Sequence, residues 1–259
     1  MEVQILHDKS AAFNFLKKHP ELQVYCIGDL DDFFWPKTIW YGLIDHSEIQ
    51  SLAVLYVGLQ TPTLLLFNEG DPFYALTLLE RIKPILPGKF FAHLSPGLVN
   101  KFGQPNVLKY YGLNYKMALR KPVSEISDEH IFRLTTADLP KIKGLYSIAY
   151  PENWFDERML ETGKYFGYFV KNDLVGIVGI HVYSEKYRAA ALGNIATHPD
   201  YRGQQIAFKL TSTLCHDLSK TVDYIGLNVK VNNDHAIRCY EKIGFEIVGK
   251  HDECYIKNT

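Results

Sequence analysis

The sequence lacks a charge excess of either sign. Its 259 residues include 28 Lys+Arg and 29 Asp+Glu, which gives a formal net charge of −1. Proteins that bind nucleic acid or a membrane surface usually carry a basic excess, so we expect neither partner. The composition, 47% hydrophobic and 22% charged, also differs from that of disordered chains. Together these values favour a globular protein that handles a small molecule.

Long apolar runs, a basic leader and paired cysteines are also lacking. No apolar stretch reaches the ~18 residues of a membrane-spanning helix, and residues 1–10 contain no basic segment followed by an apolar one. No two cysteines form a Cys-x-x-Cys pair, which argues against zinc or redox motifs. The cysteines are Cys26, Cys215, Cys239 and Cys254. We expect reduced thiols, no bound metal and a cytoplasmic location.

A polar stretch that contains Pro122 divides the sequence near its middle. Residues 121–128 have few apolar side chains and predict a linker between a domain at 1–122 and a second at 129–259. Periodicity and turn residues predict an α/β order in the second domain. The elements are strand 131–134, helix 136–149, strands 168–170, 174–181 and 189–197, a helix that starts near Gly203, strand 225–231, helix 234–243, and strands 245–249 and 253–257.

The first half repeats this order more faintly. The predicted elements are strands 39–43, 52–57 and 63–67, a helix capped by Asp71 that begins at Pro72, strand 89–93 and a short helix at 96–102. Gly112 follows them at about the distance that separates Gly244 from the corresponding strand of the second half. We interpret the chain as two copies of one α/β unit.

One strand–loop–helix junction in the second half suits an anion. It runs from His198 to Ala207, with Arg202 and Gly203 before the helix. A helix start has unpaired N–H groups and a partial positive charge, although many Arg-Gly helix starts bind nothing. The spacing excludes both a Walker loop and a dinucleotide fingerprint. The corresponding junction of the first half, 68–72, contains Glu69 and Asp71 and would repel a pyrophosphate.

The second half resembles the GNAT superfamily of acyl-coenzyme A-dependent N-acyltransferases. The resemblance rests on Ile195-Ala196-Thr197-His198-Pro199-Asp200-Tyr201-Arg202-Gly203-Gln204-Gln205-Ile206-Ala207 and on Asn233-Asp234-His235-Ala236-Ile237-Arg238-Cys239-Tyr240-Glu241-Lys242-Ile243-Gly244-Phe245. It covers about residues 130–257. The whole chain looks like tandem members with a degenerate N-terminal half, and its C-terminal domain is similar to the glycine N-acyltransferase-like branch. The implied fold is α/β (α+β), with two tandem domains that each have a mixed, mostly antiparallel sheet flanked by helices.

The resemblance also implies a site for acetyl-coenzyme A as cosubstrate. The implied binding residues are Ile195, Ala196 and Thr197 for the pantetheine arm, Arg202, Gly203, Gln204, Gln205, Ile206, Ala207 and Phe208 for the pyrophosphate, and Asn233 for the pantetheine amide. Tyr240 would protonate the departing thiolate, which is a reasonable task for a phenol. Its alternative role is packing under Phe245. The implied reaction is direct attack of an amine on the thioester, without an acyl-enzyme.

Two positions depart from the family pattern. Gln205 stands where the family usually has glycine, so its side chain would either crowd the phosphates or bind them. Asn228 stands where several relatives carry a glutamate base, and an amide cannot accept a proton as a base. Either the base lies elsewhere, with Glu152, His181 and Glu185 as candidates by residue type alone, or a water chain deprotonates the amine.

The acceptor is not readable from the sequence. Aromatic side chains crowd the region that would flank it, either as core or as a cleft wall, and residues 150–155 are the best cleft candidates. They are Tyr146, Tyr150, Trp154, Phe155, Tyr165, Phe166 and Tyr168. Our first hypothesis is an N-acetyltransferase that acts on a primary amine of a small molecule. The alternatives are an enzyme that acetylates a protein amine and a non-catalytic acyl-coenzyme A sensor or scaffold. A monomer and a homodimer both remain open.

Overall fold

The computed structural model of the chain describes residues 1–68 and 70–258. These residues form two compact units. Unit 1 comprises Met1–Lys116, Val229–Asn232 and Val248–Thr259, and unit 2 comprises Met117–Asn228 and Asn233–Ile247. The predicted linker falls between the strands that end at Leu119 and begin at Ile131, where the chain has neither helix nor strand. The predicted domain limits, 1–122 and 129–259, stay a prediction.

Twelve strands and six α-helices are interspersed along the described residues. The strands are β1 (Glu2–Ile5), β2 (Thr38–Asp45), β3 (Glu48–Tyr56), β4 (Thr63–Leu66), β5 (Lys89–Leu94), β6 (Val107–Leu119), β7 (Ile131–Arg133), β8 (Phe166–Val170), β9 (Asp173–Ser184), β10 (Ala189–Thr197), β11 (Tyr224–Lys230) and β12 (Phe245–Lys257). The α-helices are α1 (Lys9–Leu16), α2 (Val24–Asp29), α3 (Pro72–Ile82), α4 (Leu139–Ala149), α5 (Ile206–Leu218) and α6 (Asp234–Ile243). Short 3-10 helices include Leu98–Phe102, Thr136–Asp138, Glu157–Thr162 and Pro199–Tyr201.

Unit 1 is built on a mixed sheet with the order β1-β2-β3-β4-β5-β12. Only β4 and β5 pair in parallel there, and the other neighbours are antiparallel. Helix α3 turns Leu78, Leu79 and Ile82 into the core between itself and this sheet. Those positions recur at helical spacing, so the amphipathic face explains why the helix docks there.

Unit 2 is built on a run of mixed strands with the order β11-β10-β9-β8-β7. Strands β10 and β11 are parallel, whereas β10–β9, β9–β8 and β8–β7 are antiparallel. Helix α5 buries Ile206, Leu210, Leu214 and Leu218, as the four-residue spacing predicts. It packs closely on β9 at Gly176, where a Cβ atom would lie 2.5 Å from Cγ2 of Ile206.

The structure corrects several sequence predictions. The two predicted strands at 245–249 and 253–257 are one strand, β12. The helix predicted to start near Gly203 begins at Ile206. Gly112 has a positive φ of 113°, like Gly244 at 118°, but it lies within β6 and not at a helix end. Elements β1, α1, α2 and β6 were not predicted. None of the described helices has the length and apolar character to cross a membrane.

Candidate functional site

The junction between β10 and α5 is held by local hydrogen bonds. Nδ1 of His198 accepts from the backbone N–H of Asp200 at 3.3 Å and caps the 3-10 helix Pro199–Tyr201. Nε of Arg202 donates to the carbonyl oxygen of Thr197 at 3.4 Å. Gly203 and Gln205 then adopt left-handed φ values of 79° and 60°, which turn the chain into α5. A loop with a defined conformation, and not a continuous extension of the strand, therefore leads into the helix.

The start of α5 presents a set of unpaired donors. Within the described residues, the backbone N–H groups of residues 203–208 make no hydrogen bond with the protein. Arg202, Gly203, Gln204 and Gln205 are exposed, and no atom lies within 4 Å of the place where a Cβ of Gly203 would be. Free N–H groups, the positive end of a helix dipole and a guanidinium together favour an anion such as a pyrophosphate.

The corresponding helix start in unit 1 differs. The carboxylate of Asp71 accepts from the N–H of Phe73 at 2.9 Å, and Pro72 at the first helical position has no N–H to offer. Glu69, the second acidic residue of this junction in the sequence, lies outside the described residues. One donor of α3 is thus already used and another is missing, and a carboxylate stands in front of the helix.

Strand β10 contains a bulge that the sequence analysis missed. Its parallel pairing with β11 ends at Leu192–Leu227, and its register with β9 shifts between Gly193 and Ala196. Asn194 adopts a positive φ of 55° at this point. Asparagine tolerates that conformation better than most residues, which is the one local signal in the sequence. The predicted binding residues Ile195, Ala196 and Thr197 follow the bulge on the same strand.

Helix α6 carries the two remaining predicted residues. Oδ1 of Asn233 caps the helix and accepts from the N–H of Ala236 at 3.2 Å. The Tyr240 side chain is 8% exposed, and its ring lies 6.0 Å from that of Phe245. Burial raises the pKa of Tyr240, with smaller contributions from Cys239, Tyr150 and Cys215. This hydroxyl therefore stays protonated at neutral pH.

The structure separates the residues considered as bases. Oδ1 of Asn228 is buried without a hydrogen-bond partner among the described residues. The ring of His181 lies beside the bulge, because a Cβ at Gly193 would be 2.0 Å from its Cδ2 atom. Glu152 and Glu185 are both exposed. Cys239 is half-buried, whereas Cys26, Cys215 and Cys254 are buried. Burial raises the pKa of Cys239, which disfavours a nucleophilic thiolate.

A surface pocket of about 410 Å³ lies between α4 and the loop that follows it. The pocket is lined by Lys143, Tyr146, Ser147, Pro151, Asn153, Phe155 and Glu157. The rings of Tyr146 and Phe155 are 5.4 Å apart, and Nζ of Lys143 lies 2.5 Å from a carboxylate oxygen of Glu157. Tyr165, Phe166 and Tyr168 are buried as core. The loop aromatics thus divide between core and pocket.

The comparisons with known proteins agree with this geometry. Residues 129–245 match the model of the acetyltransferase (GNAT) family. The match covers less than half of the chain, and this part of the chain is similar to that family. No curated protein sequence matches the chain significantly. Among the described residues there is no group of three or more His, Cys, Asp or Glu that could hold a metal.

Solved structures extend the likeness to the whole chain. A Drosophila protein has a TM-score of 0.76 and 10% identity, and the match covers 99% of both chains. A GNAT-family acetyltransferase from Colwellia psychrerythraea has a TM-score of 0.59 and 14% identity over 99% of this chain and 100% of that one. A tandem GNAT protein from the clavulanic acid biosynthesis pathway has a TM-score of 0.59 and 12% identity over 100% and 98%. At sequence identities of 10–14%, these matches show similarity of fold alone. It confirms the predicted class of two tandem GNAT-like units with mixed, mostly antiparallel sheets flanked by helices.

The left-handed backbone at Gln205 leads to a test of the loop. On the premise that this loop holds the pyrophosphate, as the family resemblance implies, we expect Gln205→Gly to bind coenzyme A at least as tightly as the wild type, because glycine adopts this conformation without the ~1–2 kcal/mol cost to other residues. Gln205→Val is expected to weaken binding by about tenfold or more, since a β-branched side chain there displaces the N–H groups. Titration calorimetry checks both, with circular dichroism as the folding control. Lost binding in a folded Gln205→Gly variant would instead make the side-chain amide a phosphate ligand.

Proposed function

We propose that unit 2 transfers an acetyl or other acyl group from acetyl-coenzyme A to a primary amine of a small molecule. The observation that carries this proposal is the set of unpaired N–H groups at residues 203–208, beside Arg202 and directly after a bulged strand. In this proposal the pyrophosphate is held by Arg202, Gly203, Gln204, Gln205, Ile206, Ala207 and Phe208. Ile195, Ala196, Thr197 and Asn233 hold the pantetheine arm.

The proposed chemistry is direct attack by the amine. Its nitrogen bonds to the thioester carbonyl carbon, the carbon–sulfur bond breaks, and the sulfur takes the electron pair together with a proton from Tyr240. The amine gives up a proton to solvent or to a side chain, and Asn228 is not a base. Because its raised pKa keeps Tyr240 protonated, the acid is available over the physiological range. Positioning and N–H donors account for the rest of the rate.

The pocket beside α4 supports a small acceptor. Its volume of about 410 Å³ is within the range of small-molecule sites. Tyr146 and Phe155 offer an apolar wall, and Lys143 and Glu157 line the pocket as an ion pair. A protein acceptor is the second candidate, since the pocket opens to the surface.

We also propose that unit 1 is degenerate and holds no coenzyme, because Asp71 and Pro72 take away donors at its helix start. A cytoplasmic location agrees with four free cysteines.

The experiment that tests the function combines coenzyme binding and turnover. Calorimetry measures binding of coenzyme A to the full chain, and release of free thiol from acetyl-coenzyme A is followed across a panel of small amines and peptides. Turnover with small amines supports the proposal, and turnover with peptides alone selects the protein acceptor. Tight binding without turnover on any amine would make the chain a sensor. Absence of binding would refute the coenzyme site.

A charge reversal at Arg202 provides a specific prediction. We expect Arg202→Glu to weaken coenzyme A binding by about tenfold or more, because a carboxylate replaces the guanidinium next to the phosphates. Lys186→Glu changes the net charge equally, but it lies in the turn between β9 and β10, at the other end of β10. That control should keep the wild-type affinity. Equal affinities for both variants would place the phosphates elsewhere.

A further inference from the structure

The bulge of β10 is held by a buried hydrogen-bond network. Tyr165 is fully buried, and its hydroxyl donates to the carbonyl oxygen of Ile180 on β9 at 2.8 Å. The same hydroxyl accepts from Nδ2 of Asn194 at 3.0 Å. One phenol oxygen therefore ties the side chain of the bulge residue to the neighbouring strand.

A second tyrosine holds the backbone of the same residue. The hydroxyl of Tyr146, on α4, donates to the carbonyl oxygen of Asn194 at 2.7 Å. The two rings are also linked, because Phe155 lies 5.4 Å from the Tyr146 ring and 5.6 Å from the Tyr165 ring. Burial raises the pKa of both tyrosines, so both hydroxyls keep their protons and act as donors. The left-handed Asn194 is thus fixed from β9 and from α4.

The surrounding sequence makes room for this network. A Cβ atom at Gly179 would lie 2.0 Å from Cε1 of Tyr165, so only glycine on β9 lets the ring lie flat there. Asn194 is 2% exposed, and its Oδ1 has no hydrogen-bond partner among the described residues. A left-handed conformation and an unpaired buried amide oxygen are both unfavourable. Such local costs concentrate at functional sites, where the surrounding structure enforces them.

The conformation of Asn194 decides how the following residues are presented. An extra residue in a strand reverses the alternation beyond it, so backbone and side-chain directions of residues 195–197 depend on the bulge. Pairing with β11 has already ended at Leu192, which leaves that edge of the segment without a β11 partner. The segment is the one to which the pantetheine arm is assigned above.

We propose that Tyr165 is a positioning residue for acyl transfer, which acts through Asn194 by holding the β10 bulge and thereby the thioester. This inference rests on the proposed function. Tyr165 is too deeply buried to touch a substrate, and its ring does not belong to the pocket lining. Its effect should therefore appear in the rate of transfer more than in the binding of the pyrophosphate.

The first experiment compares Tyr165→Phe with the wild type. We expect kcat for acetyl transfer to fall 10- to 100-fold, the range that a small misplacement of reacting groups produces. The dissociation constant for coenzyme A should change much less than kcat, because the N–H groups at α5 that hold the pyrophosphate are unchanged. The matched control is Tyr183→Phe on β9, which removes a hydroxyl 3.0 Å from Oγ1 of Thr221. It should leave kcat within about twofold.

A double-mutant cycle separates positioning from general packing. Asn194→Gly keeps a residue that accepts the left-handed backbone but removes the amide that bonds Tyr165. If the two side chains act through one hydrogen bond, the double variant loses no more kcat than the more impaired single variant. Multiplicative losses would overturn the shared role.

The remaining outcomes separate a failure of the positioning role from a failure of the proposed acyl-transfer function. An active wild type with an unaltered kcat in Tyr165→Phe overturns the positioning role alone. Parallel losses of kcat, coenzyme affinity and melting temperature make Tyr165 merely structural, which also overturns it. A wild type that neither binds coenzyme A nor releases thiol refutes the proposed function, and the positioning role falls with it.

Discussion

Replacement of Lys116 with methionine is expected to raise the midpoint of thermal unfolding of unit 1 by on the order of 10 °C at pH 7. Lys116 is 1% exposed, and its Nζ has no hydrogen-bond partner within the described residues. Burial lowers the pKa of Lys116 from 10.5 to about 7. Methionine fills a similar volume without a charge, so the variant recovers about 3–5 kcal/mol of desolvation free energy.

Lys116 lies near two aromatic rings and two buried histidines. Nζ lies 3.6 Å from the ring centroid of Phe67 and 5.0 Å from that of Tyr25. The rings of His93 and His251 are 5.1 Å apart. Burial, and then Lys116, lowers the pKa of His93 to about 4. Burial, His93 and Lys116 lower the pKa of His251 well below its ordinary value. The folded chain therefore favours the neutral form of all three bases.

The sign of the pH dependence follows from these shifts. Each pKa is lower in the folded chain, so the unfolded chain binds more protons and the free energy of unfolding rises with pH. Titration of Lys116 makes the free energy of unfolding rise between about pH 7 and 10.5, and titration of His93 makes it rise between about pH 4 and 6.5. Lys116→Met should abolish the first rise and increase the pKa of His93. Denaturant unfolding at several pH values and an NMR titration of the histidines measure the two effects.

The matched control is Lys109→Met. Lys109 is exposed on the same strand, β6, so the same chemical change should alter the free energy of unfolding by less than about 0.5 kcal/mol. A destabilised Lys116→Met variant, or one with an unchanged pH profile, would contradict the argument. It would mean that Nζ makes a favourable contact strong enough to offset its burial.

Elements with a clear local pattern could be predicted from the sequence. The limits of β10 and α6 agree with their predicted ranges, because alternation, the Asn233 cap and the Gly244 end are all local signals. Helix α2 escaped prediction because residues 24–29 are all buried, so it shows no amphipathic period. Lys116 escaped because an inward lysine in a strand contradicts the usual pattern and is revealed only by its packing.

The geometry of the candidate site is predictable only in part. The motif residues of the loop and of α6 are contiguous in sequence, and the family resemblance depends on them. The bulge at Asn194 depends instead on Tyr146 and Tyr165, which lie 48 and 29 positions away in the chain. The left-handed Gln205 contradicts its residue preference, so the later start of α5 followed from no local rule.

Tyr240→Phe is expected to lower kcat by about 10²- to 10³-fold while the affinity for coenzyme A stays nearly unchanged. General acid catalysis contributes 10²–10⁴-fold in rate, and phenylalanine has no proton to give to the departing sulfur. The variant keeps the ring and hence the contact with Phe245 at 6.0 Å. Thiol release measures kcat, and calorimetry measures the affinity.

The Tyr240→Phe substitution removes only the hydroxyl and keeps the ring. Because the ring stays against Phe245, the melting temperature should be nearly unchanged. In the wild type the raised pKa of Tyr240 predicts that its ionisation does not reduce kcat below about pH 10. Tyr183→Phe again serves as the control. An unchanged kcat in Tyr240→Phe would assign the tyrosine to packing under Phe245, and the proton for the thiolate would then come from solvent.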